Sequence, residues 1–391
     1  MLSEVILALL EISLLVLFAA LMGSVAIRFK FPKVVGDLLI GIILSPFLIG
    51  GFINKIIDVN LFSINNYLLL FSEFSVILLI YSIGLESGVS ALRSSGISGI
   101  MGAIFGATIP FIFGAILIRF FVSFSAALII GSALGATSLA VASSLIKETN
   151  LKGNGVNFIL TAGSFDDVVS LIILSVAIAM STLKTISYAD ILRTIFFYGI
   201  AWFIIFATSV FIIPKIFNNI IKEKYVFEGS LVIIFALTAI MTTLGFSPII
   251  AAYIAGVAMA ESNKAAKLRE NTNALLALFG SIFFVTMGAQ VNLIKLSYFG
   301  LIFSLFITAI AIIFKILGIY PFSYLATRSH KSSLAISIGM IPRGEIGLAV
   351  ANIGLTYSII NDVEFSSIVI MSLLTTILGA LIFGKIYHYI K

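Results

Sequence analysis

Thirteen apolar stretches follow one another along the chain, separated by short polar connections. They fall near residues 4–27, 33–53, 66–84, 97–118, 124–146, 155–181, 190–217, 227–245, 247–261, 271–290, 297–325, 332–357 and 365–388. Most are as long as the roughly 18 residues or more that a helix needs to cross the hydrocarbon core of a bilayer. The stretch "SPIIAAYIAGVAMAE" is the shortest. Backbone polar groups in lipid must be satisfied within their own segment, which points to helices. The pattern therefore predicts an all-α polytopic membrane protein of about thirteen transmembrane helices, with residues 1–391 forming one transmembrane domain. The first stretch has no basic leader and no small-residue cleavage site, so it reads as a membrane helix and not as a signal peptide. The connections are short, and no appended soluble regulatory module is expected.

Composition agrees with this reading. Hydrophobic residues make up 61% of the chain and charged residues only 10%, far less charge than a soluble domain of this length carries. The net charge of +6 matters less than where it falls. No basic cluster carries interleaved aromatics, so nucleic-acid binding has no support. Cysteine is absent, which removes disulfides, thiol chemistry and Cys-based metal sites. The two histidines, His330 and His388, flank apolar stretches and read as interfacial residues, not metal ligands. No cofactor is expected.

Of the 23 Lys and Arg, sixteen fall in connections on one side of the thirteen stretches and five on the other. Cytoplasmic connections are enriched in Lys and Arg. The expected topology is thus a cytoplasmic C-terminus and an external N-terminus, in the cytoplasmic membrane.

Two basic residues, Lys315 and Arg343, belong to no connection. With Asp166, Asp167 and Glu345 they make five ionisable groups near the middle of their stretches. One such group at the bilayer centre costs about 2.5–3.5 kcal/mol on insertion scales. Five are expected to face the bundle interior, to pair with one another and to mark an ion path. Pairings of Asp166 with Lys315 and of Arg343 with Glu345 would also serve packing alone. Asp167 would then be left without a partner. Adjacent helical residues point about 100° apart, so Asp166 and Asp167 face different neighbours. Two carboxylates side by side in a low-dielectric site repel. A proton and a small cation can then compete for the same oxygens. Glu73 reads as a residue near a helix end or as a carboxylate of an outer funnel. Glu86 reads as interfacial, and Glu11 and Asp37 are given no role.

Two stretches carry a second signal. "GSALGATSLAVASSLIKE" places Gly131 and Gly135 ahead of Thr137 and Ser138. "SIGMIPRGEIGLAVANIG" sets Gly339, Pro342, Gly344 and Gly347 around Arg343 and Glu345. Mid-span Gly and Pro favour broken helices whose freed backbone groups line a cavity. These are the fifth and twelfth stretches, which cross in opposite directions. Stretches 1–6 and 8–13 would then be two inverted-topology repeats joined by the seventh, an arrangement that points to a transporter site at the midplane.

The Asp-Asp pair after "TAGSF", the preceding "GATS", the segments "SPIIAAYIAGVAMAES" and "IFFVTMGAQVNL", the mid-span Lys315 and "PRGEIGLAV" together resemble the cation:proton antiporter superfamily. Within it the chain is most similar to the electrogenic NapA- and NhaA-like Na+/H+ antiporters, over nearly its whole length. The resemblance implies an NhaA-like fold with two crossed broken helices and a homodimer in membrane lipid. It also implies a mobile core near 97–181 and 297–388 and a dimerisation part near 1–65 and 190–290. Asp167 would be the essential cation and proton ligand, with Asp166 also at the transported Na+. Asp166 would pair with Lys315 and mark electrogenic exchange. Thr137 and Ser138 would offer oxygens, and Arg343 and Glu345 would support the other break. Asp37, in "PKVVGDLLIGIILSP", departs from relatives that usually have an uncharged residue there.

The expected function is exchange of Na+, with Li+ as a second candidate cargo, for H+ by alternating access, without enzymatic chemistry. K+/H+ exchange is the nearest alternative. A sodium-coupled organic-anion symporter of similar architecture is a further one, but it has no need of a mid-membrane Asp-Asp pair with a Lys.

Overall fold

In the computed structural model of the chain, residues 4–93, 96–138, 146, 153–181 and 188–390 are described. No strand occurs among them. The α-helices are α1 (Glu4–Arg28), α2 (Lys33–Ile43), α3 (Ile49–Ile57), α4 (Asn66–Arg93), α5 (Ile97–Ile118), α6 (Phe124–Gly135), α7 (Asn154–Ser181), α8 (Tyr188–Ile220), α9 (Val226–Thr243), α10 (Pro248–Ala260), α11 (Ala265–Ala289), α12 (Tyr298–Thr327), α13 (His330–Gly339), α14 (Glu345–Thr356) and α15 (Asp362–Ile386). Among the described residues, nine helical stretches are long and apolar enough to cross a membrane on their own. The chain is a multi-pass helical membrane protein.

The four remaining apolar stretches depart from single long helices. The second, expected over 33–53, divides into α2 and α3 around Pro46. Proline lacks an N–H and its ring disfavours helix at the residue before it, so the ladder breaks there. The fifth stops at Gly135 as α6, and its continuation over 139–145 lies outside the described residues. The ninth is α10, where Ser247 accepts from Ile249 N–H at the N-terminus and Pro248 takes the first helical position. Thirteen helical residues span only about 20 Å, short of the roughly 30 Å hydrocarbon core. Every residue from Ile249 to Met259 is buried, so protein rather than lipid surrounds this helix. The twelfth divides into α13 and α14 across residues 340–344.

Serine and asparagine caps set several starts. Ser123 opens α6, Ser297 opens α12 and Ser329 opens α13, each accepting a backbone N–H two or three residues into its helix. Asn361 and Glu364 form a reciprocal capping box at α15, which satisfies N–H groups that have no partner inside the helix.

Two sets of helices pack most extensively among themselves. One contains α5, α6, α7 and α12 to α15; the other contains α1, α2, α4 and α8 to α11. Within the first set, α5 and α12 cross at glycines. A Cβ on Gly318 would sit 2.5 Å from the Phe105 carbonyl oxygen, and one on Gly106 would fall 3.5 Å from Lys315 Nζ. The bare backbones let α12 lie close enough for the Lys315 side chain to pass α5 toward α7.

Candidate functional site

Lys315, on α12, is fully buried and aims its ammonium at the end of α6. Its Nζ donates to the Gly135 carbonyl at 3.0 Å and to both Asp166 carboxylate oxygens, at 3.0 and 3.1 Å. Lys315 and Asp166 are both without solvent exposure. The Gly135 carbonyl belongs to the last turn of α6, where the helix dipole is negative. The cation therefore meets a carboxylate and a helix C-terminus together. Both oxygens of Asp166 are occupied by this pair.

Asp167 points elsewhere, as the 100° step requires. It is part-exposed and forms no ion pair among the described residues. Its charged neighbours are Asp166, Glu345 and Lys315. Glu345 is the first residue of α14 and is also part-exposed. A carboxylate is favoured at that position, the positive end of the helix. Glu345 does not pair with Arg343 among the described residues.

Arg343 is fully buried and is held by oxygens other than carboxylates. Its guanidinium donates to the Ala311 carbonyl at 3.2 Å, and at 3.5 Å to the Met340 carbonyl and the Thr137 hydroxyl. The last two are at the outer limit of a hydrogen bond. Its backbone is clamped by α15: its N–H donates to the Thr375 hydroxyl at 3.2 Å, and its carbonyl accepts from Ser372 at 2.7 Å and Thr376 at 3.0 Å. The acid whose charge acts on it is Asp166. Lys315 thus meets the carbonyl end of α6, and Arg343 meets the carbonyl of Met340, just past the end of α13.

The two non-helical stretches touch. After α6 the chain turns to extended backbone at Ala136, and Ser138 N–H donates to the Pro342 carbonyl at 2.8 Å. The Ser138 hydroxyl lies in hydrogen-bonding reach of Glu345. Gly344 leaves no space for a side chain here, since a Cβ would sit 2.7 Å from Ser138 Cβ and 2.8 Å from its oxygen. Gly344→Ala is therefore expected to wedge the two breaks apart at a cost of about 1–3 kcal/mol. A lower unfolding midpoint in detergent together with slower ion exchange is the expected result; unchanged values would show that the breaks need not touch.

The structure thus brings Asp166, Asp167, Lys315, Arg343, Glu345, Thr137 and Ser138 to one place. The sequence reading missed Thr375, Ser372 and Thr376, and the carbonyls of Gly135 and Ala311. Small hydroxyl residues three and four apart inside the thirteenth stretch were the available signal, since polar groups at membrane depth seek partners. Among the described residues, no group of three or more His, Asp or Glu is arranged to hold a resident metal ion.

A buried cluster of acids and bases between two helix breaks, inside a multi-pass helical bundle, is the architecture of a secondary transporter. The family described as "Sodium/hydrogen exchanger, transmembrane" matches residues 14–386, and the chain belongs to it. A "Na(+)/H(+) antiporter" of Enterococcus hirae is 30% identical over 376 residues, covering 94% of this chain and 95% of that protein. The "Na(+)/H(+)-K(+) antiporter GerN" of Bacillus cereus is 27% identical, covering 94% and 93%. Among solved structures, the sodium proton antiporter MjNhaP1 of Methanocaldococcus jannaschii superposes with a TM-score of 0.71 at 17% identity, over 98% of this chain and 97% of that one. The last likeness concerns the fold alone.

Proposed function

We propose that the protein exchanges Na+ for H+, with Asp167 as the group for which the two ions compete. The observation that carries this reading is the charge of the cluster. Three carboxylates, Asp166, Asp167 and Glu345, stand against two buried cations, Lys315 and Arg343. One formal negative charge is left, which one proton or one monovalent cation neutralises. Asp166 is occupied by Lys315, so Asp167 is the carboxylate with oxygens to offer. Ser138, Thr137 and Glu345 add oxygens of the kind a hard cation takes. The family and its named relatives support exchange of a cation for protons.

Na+ arriving at Asp167 displaces its proton. Drawing in Asp166 as a further ligand weakens the pair with Lys315, and a buried ammonium that loses its counter-charge gives up its proton more readily. Two protons would then leave for each Na+, and the exchange would move charge. In this reading Arg343 fixes the break between α13 and α14. The thirteen spans form two inverted repeats with an external N-terminus. The part near 97–181 and 297–388 moves, and the part near 1–65 and 190–290 joins two copies in the membrane. The name of GerN favours K+ as a second cargo to test.

Purified protein in liposomes, loaded with a pH dye and challenged with Na+, Li+, K+ or choline, tests the reading. Na+ is expected to drive proton movement whose rate changes when the membrane potential is clamped. Proton movement with K+ alone would replace Na+ by K+, and none with any cation would end the exchange reading.

A further inference from the structure

The geometry points to a second cation site, an external recruitment site at Glu73, from which the transported monovalent cation passes to the Asp167 cluster. This inference rests on the exchange reading above. Glu73 is on α4, in the second of the two packed sets, and faces α10 and α14 across a cavity of about 100 Å3. That volume holds about three waters at the roughly 30 Å3 each occupies in the liquid, enough for a partly hydrated alkali ion. Ser247, Asn352, Thr356 and Tyr357 line it with Glu73, beside the apolar Val76, Ile77, Pro248, Ile249 and Ile353; among the described residues no Lys or Arg does. Glu73 forms no ion pair among the described residues.

The cavity lies at one end of the bundle. It sits near the start of α4, at the start of α10 and at the end of α14, all of which the distribution of Lys and Arg assigns to the outside. A wider cavity of about 680 Å3 adjoins it through Ser247 and Tyr357, lined also by Ser123, Ser125 and Ser181. Among the described residues, Glu73 is the one carboxylate lining either cavity. A single negative charge at the narrow end of a cleft with low-dielectric, largely apolar walls and a few hydroxyls concentrates cations there.

Helix α14 connects this cavity to the cluster. Glu345 and Asn352 are seven residues apart, close to two full turns, so they share one face about 10 Å apart along the axis. Thr356 continues that face by one more turn. Glu73, Thr356, Asn352 and Glu345 make a sequence of polar groups from the outer cavity to Ser138 and Asp167, along the seam between the two packed sets.

Right-side-out and inverted membrane vesicles from cells making the full chain separate this inference from the reading beneath it. In right-side-out vesicles at low ionic strength, Glu73→Gln is expected to raise the KM for Na+ about three- to tenfold. The maximal rate and the KM in inverted vesicles stay the same. Glu73→Asp recovers most of the external affinity. High choline chloride narrows the gap between wild type and Glu73→Gln, because salt screens an accessible charge. An unchanged external KM, an equal shift on both faces, a shift on the inner face alone, or a fall in maximal rate only would each overturn the recruitment site while leaving Na+/H+ exchange intact. Wild-type vesicles without Na+-driven proton movement would instead overturn the exchange reading, and the recruitment site with it.

Discussion

Replacing Asp167 with Asn is expected to reduce cation-driven proton movement in liposomes to the level of empty vesicles, while the protein remains folded. The amide keeps the shape and removes one negative charge. The cluster is then neutral with its two buried cations, so a monovalent ion no longer balances it. The amide also cannot release a proton in exchange. The fold survives because Asp167 forms no ion pair among the described residues and is part-exposed. Its charged neighbours include two acids, Asp166 and Glu345. Removing like-charge repulsion in a low-dielectric site leaves stability equal or higher. The checks are proton flux and the thermal unfolding midpoint in detergent. Flux near wild type in the Asn variant would mean that the paired carboxylates serve the structure only.

Lys315→Gln is expected to do the opposite, lowering stability strongly. The ammonium meets both oxygens of a fully buried carboxylate and the Gly135 carbonyl. Removing one partner of such a pair leaves an uncompensated charge in the interior, at about 3–5 kcal/mol. The double variant Asp166→Asn with Lys315→Gln removes both charges and is expected to recover most of that loss. Unfolding midpoints of the two single variants and the double one form a cycle that isolates the pair. Two losses that simply add would show that the pair is not coupled. If Lys315 supplies the second proton, the exchange that remains in Lys315→Gln no longer responds to membrane potential.

The membrane class and the buried charged cluster were legible from the sequence for one reason: lipid makes an ionisable residue expensive, so each one inside an apolar stretch carries information. Asp166, Asp167, Lys315, Arg343 and Glu345 were singled out that way, and the 100° step between neighbours gave the two Asp side chains different surroundings, Asp166 alone among the described acids pairing with Lys315. The partner of Arg343 was not legible. Proximity in sequence suggested Glu345, yet the guanidinium goes to the carbonyls of Ala311 and Met340 and to Thr137. Backbone carbonyls, whether inside α12 at Ala311 or just past the end of α13 at Met340, carry no side-chain signature, so a sequence reading assigns the charge to the nearest acid instead. The hydroxyls of Ser372, Thr375 and Thr376 were hidden for a related reason, since small polar residues are tolerated in membrane helices and do not stand out there. The division of the second stretch into α2 and α3 was marked by Pro46, but its apolar content reads as continuous.

The competition of two ions for one carboxylate is the centre of this account, and proton release on binding tests it most directly. Detergent-purified protein in weakly buffered solution is titrated with Na+ while the pH is followed, with choline as the control. Wild type is expected to release protons in proportion to the Na+ bound, and Asp167→Asn to release none. Equal release from the two proteins, or Na+ binding to wild type with no release at all, would contradict it.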